Sequence, residues 1–438
     1  MSKTPLIITW PAPATLPNQL RCLTAFALHY GLPVAMWRLP QAQTTQLCFS
    51  FSAEAALTGL PPALEATAPA GFAFFPFRDT DHNPALFIPA DVWFDSAQPR
   101  ELRINETASG AATLLPKLRK WLAAENLDSR TKNQEDEAAG HDLTTEKLAT
   151  NNQQPTTNLP WHVSPQPVPH EASKEEYMAL VERGVAAIEA GQVLKVVSSR
   201  AVRRPLPAGF DALRAFVELE HRYPLAFASL VSAPGAGTWF GATPETLVQL
   251  TEDGRFCTMA LAGTQPRPPA HSPYTAVWRQ KEIEEQALVA RYVVSCFKQL
   301  RLREYDETGP RTVAAGELLH LRTDFSVNLR RVPFPTLGTD MLRLLHPTSA
   351  VGGMPKQAAL DFLHQYEGYD RAYYSGFLGP VNLPVAGVSR LYVNLRGLQL
   401  RPTEAILYAG TGLTVDSDPA REWQETELKL TTVGAVLN

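Results

Sequence analysis

Three features of this 438-residue sequence predict an α/β or α+β fold, a body of sheets with flanking helices. Short runs rich in β-branched and aromatic residues recur along the chain. Longer segments space their apolar residues at helical intervals. Apolar residues make up 45% of the chain, ample for a core. At ~150 residues per domain, the length allows roughly three folding units or one unusually large one.

The first 125 residues place the runs Leu6–Trp10, Gln46–Ser52, Phe72–Phe77 and Ala85–Pro89 between Pro- and Ala-rich spacers, which reads as short strands. Thr113–Leu122 has the spacing of a short amphipathic helix. Residues 126–160 are rich in Asn, Gln, Thr, Glu and Lys and nearly free of core-forming side chains. Such a stretch cannot bury enough surface to offset its ordering entropy, so a mobile connector is expected there. Residues 161–438 form the remaining body. Ser173–Ala190 is a helix with Ser173 as N-cap, Glu176 three residues on and Gly191 as its stop. Val193–Val202, Phe227–Val231, Thr238–Gly241 and Thr246–Leu250 read as strands, and Tyr274–Leu300 as a long helix. Further on, the strands Gly376–Leu378, Ser389–Leu395 and Ala405–Ala409 accompany a helix over Lys356–Gln365.

Charge and composition exclude several functions. Forty Lys+Arg against 44 Asp+Glu give a net charge of −4, which argues against a protein that holds nucleic acid through bulk positive charge. No run of 18 or more apolar residues is present, so no membrane-spanning helix is expected. The N-terminal stretch is broken by Pro11 and Pro13 and does not read as a secretory signal. Cys22, Cys48, Cys257 and Cys296 lie far apart without a CxxC pair, which suits reduced thiols in a cytoplasmic protein.

Four constellations could carry chemistry. Lys195 stands alone among β-formers in VLKVVSSR. An ammonium is costly in a buried strand, and burial favours the free amine that a general base requires. Taken alone, an edge-strand lysine facing water is the commoner case. Glu245 ends the tight turn Gly241-Ala242-Thr243-Pro244-Glu245, where a sheltered carboxyl could hold a proton for a leaving group. Glu282 and Glu285 share one helical face, and Glu422, Glu425 and Lys429 share another. Two such faces could hold Mg²⁺, although solvated charge is the usual fate of this pattern. Glycine turns at Gly263, Gly352-Gly353, Gly376, Gly410 and Gly412 would let backbone N–H groups approach an anion. Neither a Walker sequence nor GxGxxG accompanies them.

Read in order, VLKVVSSR, FGATPETL, ALAGTQPR, KEIEEQALV, LLHPTSAVGGMP, EGYDRAYYSGFLG, LYVNLR, LYAGTGL and EWQETELKL resemble the chorismate-utilising enzymes. That family includes isochorismate synthase, salicylate synthase and the large subunits of anthranilate and aminodeoxychorismate synthase. The resemblance covers roughly Glu175 to Val433, with the first 125 residues a divergent portion of the fold. It implies a large two-sheet sandwich with a deep site for chorismate over Mg²⁺. Glu285 and Glu425 match the metal-ligand carboxylates, with Glu282 and Glu422 close by. Tyr374 and Arg396 match residues that hold the enolpyruvyl carboxylate, beside the backbone of Gly410 and Gly412. His346 and Thr348 match a segment near the ring, Thr264 the threonine of the LAGT block, and Lys429 a lysine near the metal-bound carboxylate. At the Lys195 position, members that add ammonia usually carry Gln and those that add water carry Lys. The resemblance therefore implies water addition at C2 by Lys195 and loss of the C4 hydroxyl with Glu245 as acid, giving isochorismate. A salicylate synthase, which goes on to eliminate pyruvate, shares these residues, and a non-catalytic chorismate-binding protein is the alternative of another class. The family further implies a monomer without nucleic-acid or membrane partners, feeding menaquinone or a catechol siderophore. Departures are Gln286 after the metal-helix Glu285, Lys281-Glu282-Ile283, Ala409-Gly410-Thr411-Gly412-Leu413, and Ser349 within the HPT segment; none removes a catalytic or metal residue.

Overall fold

The computed structural model describes residues 5–10, 15–54, 61–138, 159–267, 276–316 and 318–437. From the N-terminus the chain forms β1 (Leu6–Thr9), α1 (Leu16–His29), β2 (Val34–Arg38), β3 (Thr45–Phe49), β4 (Gly71–Phe75), β5 (Leu86–Pro89), β6 (Val92–Asp95), β7 (Glu101–Ile104) and α2 (Ala111–Ala138). Next come α3 (Lys174–Glu189), β8 (Lys195–Pro205), α4 (Ala212–Arg222), β9 (Phe227–Ala233), β10 (Gly237–Thr243), β11 (Thr246–Leu250), β12 (Arg255–Pro266) and α5 (Gln280–Gln299). The last part contains β13 (Asp306–Ala315), β14 (Leu318–Asn328), α6 (Leu337–Leu345), β15 (Gly353–Met354), α7 (Lys356–Tyr366), β16 (Phe377–Val381), β17 (Ser389–Val393), β18 (Gly397–Leu400), β19 (Glu404–Leu413) and α8 (Pro419–Gly434).

Among the described residues the strands make two sheets. One has eleven strands in the order β1-β7-β6-β3-β2-β9-β10-β18-β19-β8-β15, and the other eight, β13-β14-β12-β11-β17-β16-β4-β5. Neighbouring strands in both sheets are antiparallel, which makes the class α+β. Period-two alternation sorts the side chains. Trp37, Phe74, Trp239, Tyr392 and Tyr408 point between the sheets and build an aromatic layer. Met36, Phe240 and Leu407 turn outward against α1, α4 and α8. The second sheet turns Val248, Phe256 and Phe325 toward α5 and α6. The two-sheet sandwich with helices outside is therefore present, and its N-terminal strands are built into both sheets.

Helix α3 begins as expected: Glu176 N–H donates to Ser173 Oγ at 3.1 Å, and the Glu176 carboxylate accepts from Ser173 N–H at 2.7 Å. The helix expected over Tyr274–Leu300 starts at Gln280. Helix α2 is longer than expected and runs to Ala138, so the connector predicted from residue 126 is helical over its first part. Residues 126–138 are polar but contain no proline or glycine, and extending an existing helix needs no new nucleus. Residues 139–158 of that connector lie outside the described residues. No described helix is long and apolar enough to cross a membrane.

Candidate active site

A cavity lies beside the aromatic layer where β8 and β19 pair, with Tyr408 and Tyr374 in its lining. Strand β8 lines this space with Val197 and Ser199, Lys195 lying on the same face of the strand, and β19, paired with it, brings Gly412 opposite Val197 and Gly410 opposite Ser199. Tyr374, stacked on Tyr408 with centroids 5.2 Å apart, separates the cavity from the aromatic layer. A side chain at Gly412 would displace the Glu285 carboxylate: its Cβ would lie 2.1 Å from Glu285 Oε1 and 3.0 Å from Lys195 Cε.

Lys195 is fully buried, and its Nζ lies 3.0 Å from Glu285 Oε1. The contact is an ion pair, with no well-aligned hydrogen bond from the ammonium. Burial would push Glu285 up, but Lys195, Lys281 and Lys429 together outweigh it and hold the carboxylate below its usual range. Glu245 sits in the cavity wall, 5% exposed, at the end of the turn after β10. Val393 N–H donates to its carbonyl at 3.0 Å, which fixes the turn against β17. Burial pushes its carboxyl up to about 7, the nearby cations Lys195, Arg396 and Lys429 offsetting only part of that rise. The cavity wall thus carries a carboxyl raised to about 7, with Lys195 buried beside the lining residue Glu285.

Arg396 lines the same cavity and makes no ion pair among the described residues. Burial lowers its proton affinity, but a guanidinium keeps its charge regardless. A buried guanidinium without a carboxylate partner is a site for an anion. Tyr374 is pushed up to about 12 by burial and stays a neutral hydroxyl. Lys429 donates to the Gly410 carbonyl at 2.8 Å and pairs with Glu425 at 2.6 Å.

Two residues of the HPT segment lie elsewhere than expected. The His346 ring donates from Nε2 to the Pro76 carbonyl at 3.1 Å and packs edge-on against Phe377. It and Thr348 are outside the cavity lining, whereas Ala350 and Val351 form part of the wall. The cause is the core: His346 closes the end of α6, and its ring fills a gap beside β16. The histidine at the cavity is His320 on β14, which sequence reasoning passed over. Its Nδ1 is 2.8 Å from the Gly263 carbonyl, so this nitrogen carries the proton. Burial and the neighbouring Arg396 push the ring down to about 3, keeping it neutral. Nε2 is then a buried acceptor without a partner. Thr264 Oγ1 lies 3.4 Å from the same ring. A lone histidine in the apolar alternation of LLHLRTDF was the available signal.

Helices α5 and α8 bring the other carboxylates to the cavity's edge. Glu422 is 1% exposed and pairs with Lys281 at 2.5 Å, while its Oε2 has no partner. Burial raises its proton affinity, and Lys281 offsets part of the rise. Glu282 is placed differently: its carboxylate accepts from Arg279 N–H at 2.9 Å and caps α5. Glu285, Glu422 and Glu425 fit Mg²⁺ by donor chemistry, being hard oxygens with one buried oxygen unengaged. Each now pairs with a lysine, and no three His, Cys, Asp or Glu among the described residues converge as a ready ligand cluster. Gln286 is buried behind them, donating to Ala260 O at 3.2 Å and Thr323 Oγ1 at 3.0 Å.

With this geometry described, comparison with known proteins is informative. The family model for chorismate binding enzymes matches residues 106–438. The chain belongs to this family. A salicylate biosynthesis isochorismate synthase of Pseudomonas aeruginosa is 33% identical over 274 residues, which cover 60% of this chain and 55% of that protein. The isochorismate synthase EntC of Escherichia coli is 28% identical over 277 residues, 62% of this chain and 68% of that one. The chain thus spans between about half and two thirds of these relatives' length. In fold, it is similar to the menaquinone-specific isochorismate synthase MenF of E. coli, with a TM-score of 0.67, 20% identity, and 99% and 95% of the two chains covered. Anthranilate synthase component I of Streptococcus pneumoniae shares the fold at a TM-score of 0.58 and 17% identity, over 99% of this chain and 92% of that one.

Proposed function

We propose that this protein is an isochorismate synthase. The observation that carries this reading is one cavity lined by Glu245, Glu285 and Arg396, with the buried Lys195 3.0 Å from Glu285. Arg396 and the Tyr374 hydroxyl bind a carboxylate of chorismate, and the neutral His320 accepts from a substrate hydroxyl. Lys195, after giving up to solvent the proton it holds beside Glu285, takes a proton from water as the water oxygen bonds to C2. The ring double bonds shift, the C4–oxygen bond breaks, and Glu245 delivers its proton so that water departs. Lys195 ends as an ammonium and Glu245 as a carboxylate, and a proton passing between them restores the starting state. Two groups are needed because the attacking and departing oxygens lie at different carbons. Glu245 suits the acid role because its carboxyl is pushed up to about 7 by burial.

Mg²⁺, held by Glu285, Glu425 and Glu422, would neutralise the ring carboxylate and withdraw electron density. Relatives named as isochorismate synthases, and a lysine where ammonia-using members carry glutamine, support water over ammonia. The reading also takes the protein as a cytoplasmic monomer. The test is chromatography of chorismate incubated with the protein and Mg²⁺. Isochorismate is expected in equilibrium with chorismate. Equimolar salicylate and pyruvate would mark a salicylate synthase, and unchanged chorismate a binding protein.

A further inference from the structure

A second, larger cavity adjoins the first at the open end of the sandwich. It lies between the β13–β14 hairpin, residues 312–316, and the loop Tyr223–Ala226, with Pro40 and Gln41 completing the rim. Pro244, Leu261 and Arg396 line both cavities, so this space reaches the wall of the candidate active site. Among the described residues its lining contains Arg222, Arg267, Arg322 and Arg396 and no Asp or Glu. Arg222 pairs with Glu218, and Arg322 with Asp324, so their charge is largely compensated. Arg267, exposed at the outer part, and Arg396, at the inner end, have no ion pair among the described residues. Two arginines without an ion pair among the described residues, on one concave surface, draw small anions to it.

We infer that this second cavity is a capture site for small organic carboxylates, through which the substrate reaches Arg396. The inference rests on the proposed function for the identity of that substrate, but not for the existence of the site. The sequence of events needs only charge: a carboxylate is drawn to Arg267, then moves inward to the buried and stronger partner Arg396. Arg267 is exposed and takes no part in the chemistry, so replacing it leaves the catalytic cavity intact.

The test compares the wild type with Arg267→Gln and Arg267→Lys across ionic strength. Removing one focused charge is expected to lower kcat/KM for chorismate roughly two- to fivefold at low salt, with kcat unchanged. The difference should vanish by about 0.3 M NaCl, where screening is nearly complete over such distances. Arg267→Lys should keep the wild-type value. Equal kcat/KM for wild type and Arg267→Gln at low salt overturns the capture site while leaving the enzyme assignment untouched. If the wild type does not turn over chorismate, the functional reading fails, and isophthalate, a stable aromatic dicarboxylate, decides the site by calorimetry. Weaker isophthalate binding to Arg267→Gln supports it, and equal binding overturns it.

Discussion

Lys195 and Glu245 show how much chemistry a single buried position can hold. Both were legible in the sequence, one as a charge among β-formers and the other as an acid closing a Gly-Ala-Thr-Pro turn. Their burial, and the place of Glu245 in the cavity wall, came only with the fold. Lys195→Gln and Glu245→Gln should each lower kcat by ~10²–10⁴-fold, the usual contribution of one general acid or base. Circular dichroism should confirm that both variants fold, and near-normal turnover in either would remove its residue from the mechanism. Glu245 also sets a pH dependence. It acts in its protonated form, and its carboxyl is pushed up to about 7, so the active fraction is full below pH 7 and drains away above it. On this limb kcat/KM should decline about tenfold per pH unit once the acid is mostly ionised. A profile of kcat/KM from pH 6 to pH 9 that stays flat contradicts the assignment. His320 was less legible, because a histidine within an apolar strand reads as core until a neighbouring carbonyl and a cavity are seen.

Elements place these residues, and the helices were the more readable ones. Ser173 and Glu176 form the expected capping box on α3, so Ser173→Ala should cost about 1 kcal/mol in urea denaturation. An unchanged midpoint would mean that the cap adds nothing beyond what water supplies. Helices α5 and α8 carry Glu285, Glu422 and Glu425 in the spacing that suggested a metal face, and their lysine partners could not be read from either helix alone. Glu285→Gln and Glu425→Gln should each weaken Mg²⁺ binding by calorimetry and reduce metal-dependent turnover by orders of magnitude. Protein treated with EDTA that turns over chorismate as fast as the Mg²⁺-loaded form would refute the metal role. The long hairpin β13–β14 was missed because β13, DETGPRTVAA, is polar and exposed, and it carries a Gly-Pro pair. Its pairing depends on β14, whose own alternation is clear only once a partner exists.

Over the whole molecule, sequence order and spatial order part company. Strand β4 pairs Phe75 with Phe377, and β2 pairs Trp37 with Ser229, so neither sheet can form from the N-terminal residues alone. No local pattern reveals a partner that far along the chain, which is why the first 125 residues read as separate strands without an architecture. In the proposed reaction Lys195 activates solvent water for attack at C2 while the C4 hydroxyl leaves. Incubation with chorismate and Mg²⁺ in H₂¹⁸O, followed by mass spectrometry of separated products, tests that claim directly. Isochorismate carrying one ¹⁸O at its C2 hydroxyl, in equilibrium with chorismate, is the predicted result. Isochorismate without the label would contradict it.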